Sequence, residues 1–165
     1  MRYVDRYHVR RTDKEVKDEA TLKKILKTAQ YVTLAMSLND QPYLVSLSCG
    51  YDEERNCVYF HSAKQGKKLD YMRGNNNVWG QALLDHGYDQ GECTHLYASV
   101  HFSGKAALIE DPSEKRRAMA CMTRQLDKDP EPLIAELGPE RLGRAVIGRV
   151  DIEHMTGKKS KEVIL

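Results

Sequence analysis

Tyr31-Val-Thr-Leu-Ala-Met-Ser-Leu38, Asn39-Asp-Gln-Pro42, Tyr43-Leu-Val-Ser-Leu-Ser-Cys-Gly-Tyr51, Asp52-Glu-Glu-Arg-Asn56 and Cys57-Val-Tyr-Phe-His61 together decide the fold. The first segment is rich in β-formers and reads as a largely buried strand. Asn39 to Pro42 consists of residues that favour turns, so the strand starting near Tyr43 returns beside the first as a hairpin. A second turn at 52–56 delivers a third strand at 57–61. Three successive strands without an intervening helix form an antiparallel meander. A doubly wound parallel sheet is disfavoured, because each of its steps needs a crossover connection.

On the N-terminal side, Leu22, Ile25, Leu26 and Ala29 recur at three- and four-residue steps after Asp18, an amphipathic helix with lysines outward. The first fifteen residues are charged and weakly periodic, with Arg10 and Arg11 preceding Asp13. On the C-terminal side, residues 64–73 carry Leu69 and Met72 at helical spacing, and Gly74-Asn75-Asn76-Asn77 stops that helix. A strand follows at 78–84, then a polar, glycine-containing loop. A long strand at 95–109 is expected to bend at Ser103-Gly104, where glycine permits a bulge. Glu110-Asp111-Pro112-Ser113 opens a helix running to about Leu126, with Met119 and Met122 as core filler. Residues 127–143 read as one short helix between loops, 145–152 as the last strand, and 156–160 as a tail. Without a repeat or linker, the reading is one domain over 1–165. Six antiparallel strands with short connections and peripheral helices predict a mainly β protein, a closed or nearly closed barrel.

Composition narrows the function classes. Hydrophobic residues at 41% and charged residues at 30% describe an ordinary globular chain. The 26 basic and 24 acidic side chains leave a net charge of +2, without the basic field that nucleic-acid binding needs. Met1 to Arg6 lacks an apolar signal region, and no run approaches the roughly 18 apolar residues of a membrane span, so a cytoplasmic location is expected. Cys49, Cys57, Cys93 and Cys121 have no CxxC spacing, and no disulfide framework is expected. His86, Cys93 and His95 could ligate zinc in principle, with Cys93 and His95 on one side of a strand. Their spacing matches no zinc motif, so no metal is expected.

The stretch with chemical promise is Tyr59-Phe-His-Ser-Ala-Lys-Gln-Gly-Lys-Lys-Leu-Asp70. A strand ends in small and polar residues, passes a glycine, and delivers two lysines into a helix. Free N–H groups at a helix start, with full charges beside them, suit a phosphate whose attached flat ring lies along the strand. The simpler alternative is a strand-to-helix connection with solvated lysines.

Four segments in order carry a family resemblance. They are Arg10-Arg11-Thr-Asp13 leading into the helix before Tyr31-Val-Thr-Leu-Ala35; Pro42-Tyr-Leu-Val-Ser-Leu47 with Gly50-Tyr51; Val58-Tyr-Phe-His-Ser-Ala63 with Gly66-Lys-Lys-Leu69; and Tyr97-Ala-Ser-Val100 with Gly104-Lys-Ala106 before Glu110-Asp111-Pro112. The chain resembles the pyridoxamine 5′-phosphate oxidase-like FMN-binding split-barrel superfamily, nearest its nitroimidazole-resistance-related branch. The resemblance covers roughly residues 10–125, with an echo at Thr156-Gly-Lys158. It implies a six-stranded antiparallel split β-barrel, an FMN cofactor and a homodimer with flavin at the interface. By position, Val45, Ser46, Leu47 and Ser48 would lie along the isoalloxazine ring, contacting its polar edge through backbone groups and serines. His61 and Ser62 would sit beside the ribityl chain or ring, and Lys67 and Lys68 would bind the phosphate. Tyr97 and Ser99 would reach the flavin from the neighbouring strand or the other subunit, and Lys158 would close the site from the tail. His61 is the implied catalytic candidate, able to bond a reduced ring or move a proton near neutral pH.

The chain departs from the oxidase proper. Pro42-Tyr43 stands where a basic residue precedes the flavin-facing strand, Ser99 replaces a glutamine, and the basic residues for pyridoxal phosphate lack counterparts. These differences point away from vitamin B6 oxidation. His101 stands where the branch carries an apolar residue. The leading expectation is an FMN-dependent oxidoreductase passing electrons to a small acceptor such as a nitroaromatic or quinone. The alternatives are a non-catalytic flavin- or haem-binding barrel and a coenzyme F420-dependent reductase.

Overall fold

The structure, a computed structural model, describes residues 9–165; the sequence reading of residues 1–8 lies outside them. The elements run β1 (Glu15–Val16), α1 (Glu19–Thr28), β2 (Tyr31–Leu38), β3 (Gln41–Asp52), β4 (Cys57–Ser62), α2 (Lys67–Gly74), β5 (Asn77–Asp89), β6 (Thr94–Leu108), α3 (Pro112–Leu126), α4 (Pro130–Ala135), α5 (Pro139–Arg144) and β7 (Val146–Lys159). All strand pairs are antiparallel, in the order β1-β7-β4-β3-β2-β5-β6, and β6 pairs again with β7. Six strands therefore close a ring, as expected. The two-residue β1 was not foreseen; it pairs with β7 at Lys158 and Gly157, farther along the strand than β4 reaches.

Tight chemistry sets the meander. Asn39 and Asp40 both have positive φ (50° and 59°), so the β2–β3 hairpin closes in two residues and β3 starts at Gln41 rather than Tyr43. Strand alternation sends Val32, Leu34 and Met36 inward with Val58, Phe60, Val100, Phe102 and Val150 to fill the barrel. Asp18 caps α1 by accepting from the N–H groups of Ala20 and Thr21. That helix buries Leu22, Ile25 and Leu26, each stabilising by roughly 1.5–3 kcal/mol as an upper estimate. The predicted bend at Ser103-Gly104 is a register shift in the β6–β7 ladder. A Cβ on Gly104 would lie 1.9 Å from the Asp151 carbonyl oxygen, so only glycine allows the two backbones to approach there.

A second core lies outside the barrel, where α3 crosses β3 and β4. Cys57, Tyr59 and Ile147 pack there with Ala118, Met119 and Met122. Residues 127–143 form two short helices rather than one, each opened by a proline, and their Ile134, Leu137 and Leu142 complete this second core. Gln125 ties α3 down: its amide donates to the carbonyls of Leu26 and Ala29 and accepts from the Tyr51 N–H.

Other boundaries also move. α2 begins at Lys67, three residues later than the periodicity suggests, because Gly66 has φ 139° and cannot be helical. β5 and β6 continue past Leu84 into a protruding hairpin with Tyr88 opposite His95. The expected tail at 156–160 is instead mostly strand, because β7 runs on to Lys159 against β6 and β1.

Candidate functional site

The barrel is split along one edge. β3 pairs with β2 throughout residues 41–48 but with β4 only from Cys49 to Asp52. Beyond Phe60, β4 parts from β3, and His61 and Ser62 pair only with Ile147 and Val146 of β7. The chain turns there into α2, which buries Leu69, Tyr71 and Met72 and sets the Tyr71 ring 5.1 Å from that of Tyr43 on β3. A helix thus occupies the place of a strand, and the outer edge of β3 from 41 to 48 has no ladder partner among the described residues. Its N–H and C=O groups remain for a polar partner.

The start of α2 stands beside this edge. Gly66 precedes it, and its carbonyl accepts from Leu69 and Asp70, while the first N–H groups of the helix have no intrahelical partner. Exposed Lys67 holds its ammonium 4.9 Å from the Tyr43 ring and 5.5 Å from the Tyr71 ring. Half-buried Lys68 donates to the His61 carbonyl at 3.4 Å and lies 5.8 Å from the Phe60 ring. Neither has a carboxylate partner among the described residues. Burial pushes the Lys68 pKa down, the mark of a cation without a matching anion. His61 is lowered by burial and then by the Arg141 charge, so its imidazole is neutral at physiological pH. Ser62 donates to the carbonyl of Ala63 at 2.9 Å. Arg141, on α5, was missed by sequence reasoning, because no local pattern links it to a loop some eighty residues earlier.

Alternation along β3 divides the four ring-facing candidates. Ser46 and Ser48 face outward, with the Ser46 hydroxyl 2.9 Å from that of Thr33. Val45 and Leu47 pack on the barrel core, so they offer a ligand at the β3 edge their peptide groups only.

Tyr97, Ser99 and Lys158 form a separate group. Ser99 pairs with Leu83 on β5 and Lys158 on β7, about three strands or roughly 14 Å across the outer face from Ser48. Lys158 is a strand residue opposite Ser99 and Glu15 rather than a tail closing the site. Ser99 is 3% exposed, and the Lys14 ammonium lies 5.7 Å from the Tyr97 ring. One chain therefore does not bring these residues to the start of α2. His101, on the same outer face, stands 3.0 Å from the Gln81 amide nitrogen, which gives the anomalous histidine a partner.

That outer face is unusually apolar. Leu44, Ala35 and Trp79 are directly opposite one another across β3, β2 and β5, with Leu44 66% and Trp79 42% exposed. Tyr31 and Leu83 are exposed on the same face. The zinc candidates do not converge: His95 bonds Asp85 at 2.7 Å, Cys93 lies in the turn before β6, and no group of three potential ligands occurs among the described residues. A groove of about 570 Å³ runs beside Tyr51 and Cys121, away from α2. Its charges are paired, Arg117 with Asp52, Lys27 with Glu53 and Arg124 with Glu131.

An open strand edge beside a glycine-started helix with two unmatched lysines fits a planar heterocycle carrying a phosphate: peptide groups for the ring, N–H groups and ammoniums for the dianion. Fold and site define a split-barrel protein with a ligand position at the split. A family model described as pyridoxamine 5′-phosphate oxidase matches residues 18–159, and the chain belongs to that family, with nitroimidazole-resistance-related proteins among its relatives. A candidate 5-nitroimidazole antibiotic resistance protein of Bacteroides thetaiotaomicron is 26% identical, with a TM-score of 0.74 over 87% of this chain and 85% of that one. The flavocytochrome Anf3 of Azotobacter vinelandii is 18% identical, with a TM-score of 0.79 over 98% and 76%. An FAD-binding protein of Mesorhizobium loti is 22% identical, with a TM-score of 0.64 over 87% and 96%. The last two likenesses are of fold alone. No curated protein matches the chain significantly. No helix among the described residues is long and apolar enough to cross a membrane.

Proposed function

We propose that this protein is a cytoplasmic FMN-binding flavoprotein, a single split-barrel domain that acts as a homodimeric oxidoreductase on a small acceptor such as a nitroaromatic or quinone. The observation that carries the reading is the unpaired edge of β3 at 41–48 beside the start of α2 with Lys67 and Lys68. Peptide groups of Val45 to Ser48 hold the ring's polar edge, with the outward Ser48 hydroxyl beside them. Ser62 lies by the ribityl chain, and Lys67, Lys68 and the first N–H groups of α2 hold the phosphate. Bound flavin supplies reversible two-electron chemistry, and the protein supplies position, electrostatics and access. Neutral His61, at the end of β4, donates a hydrogen bond at the ring or passes a proton to the acceptor.

Dimerisation is supported by the outer face. Leu44, Tyr31, Trp79 and Leu83 form an apolar area of the kind that soluble proteins cover. A second copy on this face brings its own Tyr97, Ser99 and Lys158 toward the flavin, which one chain alone does not do. The relatives named for flavin, FAD or 5-nitroimidazole resistance support the same class of ligand and acceptor. The test is an absorbance spectrum of freshly purified protein with the released ligand identified by mass. A flavin spectrum that NAD(P)H bleaches and a nitroaromatic restores is expected. A colourless protein without flavin affinity would refute the reading, and a Soret band would assign the barrel to haem instead.

A further inference from the structure

α5 brings a cation to the end of β4 that the phosphate reading does not use. The helix opens at Pro139 and is docked by Leu142 in the second core. The Arg141 carbonyl accepts from the Ala145 N–H, and the next two residues, Val146 and Ile147, start β7 against Ser62 and His61. One helical turn and one ladder step of about 4.8 Å therefore separate the backbones of Arg141 and His61. His61 stands between two helices. On the side where β3 parts from β4, α2 supplies Lys68, which donates to the His61 carbonyl; on the β7 side, α5 supplies Arg141.

The cations around this point differ in how they are committed. Arg144 pairs with Glu140 and lines, with Lys64 and Lys115, a recess of about 300 Å³ to which neither His61 nor Arg141 belongs. Lys115 donates to the Ala145 carbonyl at 3.1 Å. Arg141 is exposed, and its guanidinium has no carboxylate or hydrogen-bond partner among the described residues. Its charge acts on His61, whose pKa it lowers after the larger effect of burial, and no carboxylate offsets it there. A neutral imidazole and an uncommitted guanidinium thus share the mouth of the split. The guanidinium fork offers two parallel N–H bonds to a planar group with two oxygens, and the imidazole N–H can add a third. A single quinone oxygen uses only part of that set.

We infer that Arg141 and His61 form a seat for the planar two-oxygen group of a small flat molecule, a carboxylate or a nitro group. The seat is built from this chain's own residues; that its occupant is the electron acceptor rests on the flavin reading above. A carboxylate, being charged, is held more tightly than a nitro group. Acceptors with such a group are favoured over quinones of the same size, and ammonium-bearing ones are disfavoured by Arg141, Lys67 and Lys68.

The test titrates the full chain, freed of bound flavin, with benzoate, nitrobenzene and benzamide, while NMR follows the His61 imidazole. Benzoate should bind roughly ten-fold or more tightly than benzamide and should raise the His61 pKa, because a carboxylate beside it favours the imidazolium. Arg141→Gln should weaken benzoate by roughly ten-fold or more and should itself raise the His61 pKa, through loss of a like charge. Arg141→Lys keeps the charge without the fork, so it should hold the His61 pKa low and recover only part of the benzoate affinity. Nitrobenzene bound in place of benzoate, and lost in Arg141→Gln, keeps the seat and assigns it to a nitro group. Benzoate held no better than benzamide with nitrobenzene unbound, or a His61 titration indifferent to Arg141→Gln, overturns the seat. FMN titrated in parallel should bind both variants within about two-fold of wild type. A chain that binds FMN but neither benzoate nor nitrobenzene loses the seat and keeps the flavin reading; one that binds benzoate but no flavin keeps the seat and loses that reading.

Discussion

Replacing Lys67 and Lys68 together by alanine tests the phosphate site most directly. A hydrogen bond to a charged group contributes about 1.5–3 kcal/mol, and the structure sets where each lysine falls in that range. Lys68 is half-buried, already anchored on the His61 carbonyl, and its pKa is lowered by burial, so an arriving dianion meets a poorly solvated cation. Its contribution belongs near about 2 kcal/mol. Lys67 is exposed and must leave its contacts with the Tyr43 and Tyr71 rings, which are worth about 0.5–1 kcal/mol at such a site. Its net contribution is therefore about 1 kcal/mol. The double variant should lose about 2–4 kcal/mol of FMN affinity, a rise in Kd of roughly 30- to 700-fold. The assay is a fluorescence titration with FMN, and in parallel with riboflavin, which has the same ring but no phosphate. Riboflavin affinity should hold within about three-fold, because the β3 edge is untouched. Unchanged FMN affinity, or an equal loss for riboflavin, would refute the assignment of these lysines to a phosphate.

Arg117→Ala should destabilise the fold by about 3 kcal/mol in urea at neutral pH, because Asp52 is 7% exposed and would lose its bidentate partner. The Asp52 pKa lies below its ordinary 3.8, chiefly through its hydrogen bonds from Arg117. The associated stability is present above that unfolded-state value and is lost as pH falls through the folded one, so the gap between wild type and variant should narrow in acid. Tyr59→Phe should be neutral or stabilise by up to about 1 kcal/mol in the same assay, since among the described residues the buried Tyr59 hydroxyl has no partner stronger than the neighbouring Cys57 thiol. A clear loss of stability would reveal a partner there. Leu44→Glu with Trp79→Glu should halve the mass measured by light scattering and keep the circular dichroism, because both side chains are exposed in the single chain. A mass unaffected by the double change would place the dimer contact elsewhere.

Much of the fold was legible because its signals are local. Tyr31 to Leu38 was read to the residue, since a run of β-formers follows the end of the helical period and stops at the turn formers Asn39 and Asp40. The α3 boundary followed from Asp111, which caps the helix through the Glu114 N–H, and from Pro112 in its first turn. The departures share one cause. Residues 156–159 look like a tail because Thr-Gly-Lys-Lys has little intrinsic strand preference; pairing with β6 and β1 supplies it. The helix period that suggested a start at residue 64 could not register that Gly66 would take a φ of 139°.

The order of residues 59–70 was enough to mark a helix start with two lysines, and the four family segments were enough to place the barrel around it. Other features exist only once the ring closes. The partnerless edge of β3 arises because α2 displaces β4. The inward turn of Val45 and Leu47 depends on which face β2 presents. The separation of Ser99 and Lys158 from Ser48 is set by the number of strands between them. The Arg141 charge acts on His61, and Arg144 lines the same recess as Lys64, because α5 folds back over a second core on Leu142. Local preference writes strands and caps into a sequence, whereas proximity between distant charges depends on how the whole chain packs.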